Sequence, residues 1–399
     1  MSALSRSGNA FVLFVSAGAA IGGAIGMGAA SAAFTPGDCI HVTIASGYGP
    51  GIKAAVILIS GNPVTLTPLV TGNGINGDGA YDSFRQSAVV IRATGAGRVI
   101  SAVNSSGVIT DIPYSGPQDA TLVAPTGDGR IYIQRSGKWS YIDRGGVTHD
   151  LLNAAGTGLF VQTKNYRRAY YDPSTKSIFC GDAILAGATI TKIPLSTDGT
   201  KLATAPTDLV LSTPGLQSPV VVGISPGPSG KFFLKIDDNG GGLAPRMLLL
   251  DPATLTQTVY AQSNYFGVGG EIAGCYSPKL NVALVVDSLA DQLRFFASGG
   301  SGAGTIVANT SGISSAGGSG ENATMFAITP STAVCLGDLN NDGFVDDADF
   351  SLFAAAYNVL DCADPAMPVG CPADLNSDGF VDDSDFSLFA VAYDALLCP

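Results

Sequence analysis

Short apolar runs rich in β-branched and aromatic residues dominate the middle of the chain. AAVILIS (54–60), RVISAV (98–103), RIYIQR (130–135), SIFCGD (177–182), KFFLKI (231–236) and NVALVV (281–286) have strand length and strand composition. Clusters such as PTGDG, SPGPSG and DDNGGG separate them, which predicts a mainly β body over residues 33–330. The run starts lie 44, 32, 47, 54 and 50 residues apart, and most of these intervals approach the length of a four-stranded propeller blade. Between the runs come second strands such as WSYIDRGG. The phrases YYDPSTKSIF and LLLDPATLTQTVY set Asp-Pro turns between strands, where proline presets φ and the Asp side chain accepts from the backbone. A β-propeller of six or seven blades fits; a β-sandwich pair or a β-helix is the alternative. A Gly/Ser-rich stretch begins at residue 298, and the ATMFAITP run after it can close the last blade with the chain's first strand.

The pattern changes character after residue 330. Residues 335–399 hold one unit written twice, 36 residues apart: GDLNNDGFVDDADFSLFAAAY and ADLNSDGFVDDSDFSLFAVAY. Each copy has oxygen side chains at positions 1, 3, 5, 9 and 12 of a twelve-residue loop, with glycine at position 6. These are Asp338, Asn340, Asp342, Asp346 and Asp349 in the first copy, and Asp374, Asn376, Asp378, Asp382 and Asp385 in the second. The carbonyls of Phe344 and Phe380 occupy position 7. Ca²⁺ takes six to eight oxygens at about 2.3–2.6 Å, and alternate side chains of a tight loop all point inward, so the spacing predicts two calcium ions. Position 12 is Asp rather than Glu and reaches one methylene less far. After each loop Phe350, Phe353 and Tyr357, with their copies Phe386, Phe389 and Tyr393, recur on one helical face and predict helices starting near Asp347 and Asp383 that bury these residues against one another.

No amphipathic helix precedes either loop, and this loop-then-helix duplication resembles the dockerin family of secreted bacterial proteins. The resemblance covers about 65 residues. It implies a small α calcium module that docks onto a cohesin-like domain. The chain departs from that family at loop positions 10 and 11, with Asp347-Ala348 and Asp383-Ser384 where Ser/Thr is common. It also has Ala355 and Val391 where a basic residue is expected. Calcium ligation carries over; the identity of the partner does not. The body is loosely similar to several bacterial propeller families that carry Asp-Pro phrases on blade strands.

Charge sharpens this division. The formal net charge is −12, yet 335–399 alone holds thirteen Asp and no Lys, Arg or Glu, while 33–334 has nineteen acidic and nineteen basic residues. The acidity therefore belongs to the loops. No basic stripe or reader motif points to nucleic acid. At the start, Arg6 precedes the apolar run FVLFVSAGAAIGGAIGMGAA and the small-residue site Ala30-Ser31-Ala32, which predicts a signal peptide over 1–32 and a secreted or periplasmic protein. An uncleaved membrane anchor is the competing reading. Export permits disulfides. In the module we expect Cys362–Cys371 with Cys335–Cys398, or else Cys335–Cys362 with Cys371–Cys398. The body's three cysteines, Cys39, Cys180 and Cys275, leave an odd thiol.

Catalytic signals are scarce. The two histidines, His41 in a first strand and His149 in a turn, read as structural or surface residues; of the only glutamates, Glu271 and Glu321, the first reads as part of a loop at a propeller face. No nucleophile elbow, metalloprotease helix, P-loop or dinucleotide fingerprint occurs. Trp139 and Tyr141 read as blade core rather than a sugar platform. The expected function is a secreted, non-catalytic propeller, binding a polysaccharide or cell-surface ligand, carried into an extracellular assembly by the calcium module. The alternative is a polysaccharide-degrading propeller, a glycosidase or lyase, using its seventeen body Asp residues for a carboxylate pair.

Overall fold

The computed structural model describes residues 34–43, 55–71, 75–182 except 96, 116, 136, 163 and 165, 188–238, 246–263, 271–287, 292–309, 324–329, 337–339, 345–368 and 371–395 except 377. The leader read over 1–32, and with it the choice between signal peptide and anchor, lies outside these residues. Among those described, no helix is long and apolar enough to cross a membrane.

The strands gather into six sheets, which settles the blade number at six. The first blade holds β1 (Cys39–Thr43), β2 (Ala55–Ser60) and β3 (Thr65–Thr71). The second holds β4 (Ile75–Asp82), β5 (Ser87–Thr94), β6 (Gly97–Val103) and β7 (Ile109–Ile112), and the third β8 (Ala120–Pro125), β9 (Ile131–Arg135), β10 (Lys138–Ile142) and β11 (Thr148–Asp150). The fourth is β12 (Tyr166–Asp172), β13 (Ser177–Asp182), β14 (Thr189–Pro194) and β15 (Thr207–Val210). The fifth comprises β16 (Pro219–Pro226), β17 (Phe232–Asp238), β18 (Arg246–Leu250) and β19 (Gln257–Ser263), and the sixth β20 (Glu271–Ser277), β21 (Val282–Asp287) and β22 (Gln292–Phe296). The short β23 (Ser301–Gly302) lies along β19, and β24 (Thr305–Asn309) completes the sixth blade.

The ring closes through β25 (Thr324–Ala327), which pairs antiparallel with β1 and supplies the first blade's inner strand. The late apolar run thus pairs with the chain's first strand, as expected, in a blade whose other three strands come from the chain's start. Its side chains alternate as a strand demands. Met325 and Ala327 join Cys39, Ile59, Cys275 and Leu284 in a core shared with the sixth blade. Phe326 and Ile328 join Ile40, Leu58, Ala88 and Val90 in a core shared with the second. The other four cores of the body likewise each lie between neighbouring blades. Each sheet therefore buries both faces, which is why its strands read as continuous apolar runs rather than strict alternation. Inner strands approach so closely that a Cβ on Gly223 would lie 2.5 Å from the Gly274 carbonyl oxygen, so glycine is required there. The Asp-Pro turns form as expected: Asp172 accepts from the Thr175 amide at 3.0 Å, and Asp251 from those of Ala253 and Thr254 at 3.0 and 2.9 Å.

Around the axis, one buried ion pair links inner strands. Arg168 on β12 faces Asp78 on β4 at 3.9 Å, both almost fully buried. The Arg168 Nε donates to the Val222 carbonyl of β16 at 2.9 Å, and Asp78 accepts from the Val123 amide of β8 at 3.3 Å. Four consecutive blades are tied in this way. Burial pushes the Asp78 carboxyl up to about 7 against the pull of Arg168, and holds the Arg168 guanidinium down at about 10. Two helices follow the propeller: α1 (Asp347–Tyr357) and α2 (Asp383–Ala395).

Removing one member of a buried pair strands the other, at a cost of about 3–5 kcal/mol. Arg168→Met is expected to lower the urea midpoint accordingly, and adding Asp78→Asn to recover most of the loss. A double variant no more stable than the single would count against the pair as the axial tie.

Candidate metal site

In the second loop three of the predicted side chains converge. The carboxylates of Asp374, Asp378 and Asp385, positions 1, 5 and 12, lie within 4.8 Å of one another. Gly379 at position 6 has φ +96°, a conformation that glycine reaches without strain. Backbone amides hold the ring of oxygens. Asp374 accepts from Asp378 and Gly379 at 3.1 and 3.0 Å, and the Asn376 side chain accepts from Asp378 at 2.8 Å and donates back to its carboxylate at 2.9 Å. Asp385, fully buried, accepts from the amides of Asn376 and Asp382, both at 2.9 Å. Phe380 at position 7 donates its amide to Asp378 at 3.0 Å. Asp382 at position 9 turns instead to the helix start, accepting from the Ser384 amide at 2.8 Å.

In the first loop Asp338, Asp346 and Asp349 are described, whereas Asn340, Asp342 and Phe344 lie outside the described residues. Asp346 is the N-cap of α1 and accepts from the Ala348 amide at 2.8 Å. Asp349, fully buried, accepts from the amides of Leu339 and Asp346 at 2.6 and 3.0 Å. Positions 9 and 12 therefore form a capping box as well as offering oxygens, a double use of the same side chains.

The donor set is hard oxygen and anionic, as calcium requires. Burial, followed by the nearby Asp385 and Asp378 charges and only partly offset by amides, pushes the Asp374 carboxyl up to about 6. Burial likewise raises Asp385. Such a cluster fits a cation, since a positive charge among buried anionic oxygens offsets both their burial and their mutual repulsion. From the propeller, Arg144 reaches this loop. Its guanidinium donates to the Leu375 carbonyl and to the Asp128 carbonyl, and lies 5.8 Å from the centre of the Phe84 ring.

The helices pack about a local two-fold. Phe353 and Phe389, counterparts in the repeat, are buried and stack at 4.9 Å. Tyr357 donates to Asp383, and Tyr393 to Asp347, reciprocally. Phe350 and Phe386, expected on the same buried face, are instead 45% and 46% exposed. Both rings still reach the partner helix, Phe350 lying 6.0 Å from Phe389 and Phe386 6.0 Å from Phe353, but the seam centres on the Phe353–Phe389 stack and leaves these first-turn rings half in solvent. The Cys362–Cys371 disulfide forms, with its Cα atoms 5.4 Å apart, while Cys335 and Cys398 lie outside the described residues.

Residues considered for catalysis take structural places. His41 is buried on β1 with Nδ1 3.2 Å from the Thr324 carbonyl, and burial lowers its pKa to about 4. His149 lies in strand β11, not in a turn, 2.7 Å from Asp143 and stacked on Tyr141 at 4.9 Å. Trp139 is wholly buried in the core between the third and fourth blades. Glu271 opens the inner strand β20, where a loop was expected; its side chain and all of Glu321 lie outside the described residues. One mouth of the axis is a depression lined by Tyr81, Tyr170, Tyr171, Phe326, Ala124 and Pro226, among others; among the described residues its lining includes no carboxylate, histidine or cysteine.

No protein-family model matches the sequence, and no curated protein matches it. Similar solved structures include a periplasmic gluconolactonase of Pseudomonas aeruginosa, 14% identical over 65% of this chain and 91% of that one, with a TM-score of 0.42. TolB from Acinetobacter baumannii is 11% identical over 67% of this chain and 62% of that one, at 0.44. An auxiliary nutrient binding protein of Bacteroides thetaiotaomicron is 11% identical over 62% and 74%, at 0.43. No ligand or activity carries over at these values.

A carboxyl raised in the folded state contributes stability below its ordinary pKa near 3.8 and loses it as pH rises through the folded value. With chelator present, the helical circular dichroism contributed by α1 and α2 is therefore expected to be larger at pH 4.5 than at pH 7.5, falling through about pH 6. The reverse slope would mean that the Asp374 carboxyl is not raised in the folded module.

Proposed function

We propose that this is an exported, calcium-binding protein whose dockerin-like C-terminal module attaches a β-propeller with a binding role to a partner protein. The observation that carries the reading is the convergence of Asp374, Asp378 and Asp385 at the head of α2. Two Ca²⁺ ions, one per loop, supply the positive charge those side chains need. In the second loop Asp374, Asn376, Asp378 and Asp385 hold the ion with the Phe380 carbonyl, and Asp382 reaches it through water. Asp338, Asn340, Asp342, Phe344, Asp346 and Asp349 do the same in the first. Bound calcium aligns the loop with the helix it caps, so that binding free energy becomes folding free energy.

A cohesin-like domain is the proposed partner. The exposed Phe350, Leu352, Phe386 and Leu388 support this, since the repeat presents the same apolar pair twice. The propeller binds without turning over its ligand, a polysaccharide or a cell-surface group. Its support is the axial mouth of tyrosines, alanine and proline, which offers stacking faces and no acid–base pair.

Calorimetry on the full chain is expected to give two calcium ions bound, Asp378→Ala removing one and Asp342→Ala the other. Plant, algal and bacterial polysaccharides incubated with the protein are expected to yield no new reducing ends. Absence of calcium binding would overturn the module's role. Turnover lost on changing one axial carboxylate would overturn the propeller's.

A further inference from the structure

The seam where the ring closes brings two cysteines together. Cys39 opens β1 and Cys275 lies in β20 of the sixth blade, 236 residues later, yet their sulfurs are 2.7 Å apart. Both side chains are wholly buried. A disulfide needs about 2.05 Å between sulfurs, so only a small movement separates contact from bond. The strands around them are pinned on either side. The Ser277 hydroxyl donates to the Gly37 carbonyl at 2.7 Å, Lys279 pairs with Asp38 at 2.9 Å, and the Gly37 amide donates to Ile328 at 2.8 Å. A Cβ on Gly37 would lie 2.8 Å from that of Lys279, so the two segments run side by side with no room between them. The third body cysteine, Cys180, is buried in β13 of the fourth blade, in a different core.

We propose that Cys39 and Cys275 form a disulfide that locks the first blade to the sixth, leaving Cys180 as the unpaired thiol. The inference rests on the export reading, since a reducing cytosol would keep both as thiols. The oxidant is a disulfide donor, protein or small molecule. One cysteine thiolate attacks a donor sulfur, forming a mixed disulfide and releasing the first donor thiol. The second thiolate then attacks the protein-side sulfur of that bond and expels the second donor thiol. Two protein thiols and one donor disulfide become one protein disulfide and two donor thiols, with two electrons passing to the donor. Because both sulfurs are sealed in the finished ring, exchange takes place while the seam is still open, during folding after export. The bond closes a loop spanning most of the propeller and restricts the unfolded chain accordingly.

The test is peptide mapping of the full chain, made with its own leader and recovered from the periplasm, alkylated under denaturing, non-reducing conditions and cut with trypsin. The expected product joins the peptide ending at Lys53 to that ending at Lys279 and separates on reduction, with Cys180 alkylated. A second arm refolds reduced protein with glutathione disulfide. The same linked peptide in that arm alone supports the pairing and places the failure in export. Alkylation of both Cys39 and Cys275 in both arms, or a bond from either to Cys180, would overturn the proposal.

Discussion

The propeller depends on a strand of four residues. Without β25 the first blade lacks its inner strand, and two of the six inter-blade cores lose their central side chains, Met325 on one side and Phe326 on the other. Burying side chains of this size is worth about 1.5–3 kcal/mol each, so the seam is a substantial part of a domain's small net stability. It is also the contact of greatest sequence separation, and the ordering cost of bringing chain start to chain end precedes its reward. The hydrogen-bonded, tightly packed seam around Gly37 and Lys279 fits that requirement.

Much of this was legible in the strings of apolar residues. Four of the six runs are the second strands of their blades, the positions buried on both faces. AAVILIS and RVISAV are third strands, and the second strand beside RVISAV, SAVVIRAT, lay unmarked between runs. The helix starts, and the convergence of Asp374, Asp378 and Asp385, were legible because these residues lie close in sequence at a spacing written twice. The Asp78–Arg168 tie was not, because its partners come from different blades and Arg168 sits in a tandem Arg pair that reads as strand surface. Nor was the proximity of Cys39 to Cys275, which is a property of ring closure alone. Phe350 and Phe386 were misplaced because helical spacing tells which residues share a face, not how wide the partner is.

The C-terminal module contrasts with the ring that precedes it. Each blade is stabilised by apolar area, whereas the loops bring anionic oxygens together around positions that also cap the helices. Asp346 accepts from the first turn of α1, and Asp349 within α1 accepts from the N-cap and the loop, while both belong to the proposed ligand set, so loop and helix order together. Arg144 extends the coupling to the propeller by holding the Leu375 carbonyl beside Asp374. The proposed cation site, helix capping and contact with the body thus fall on the same short segments.

Hydrogen exchange on the full chain, in calcium and in chelator, tests the account most directly. It predicts that the amides of α1 and α2 gain protection with calcium, while β1 and β25 stay protected in both conditions. Equal protection of α1 and α2 with and without calcium would contradict it.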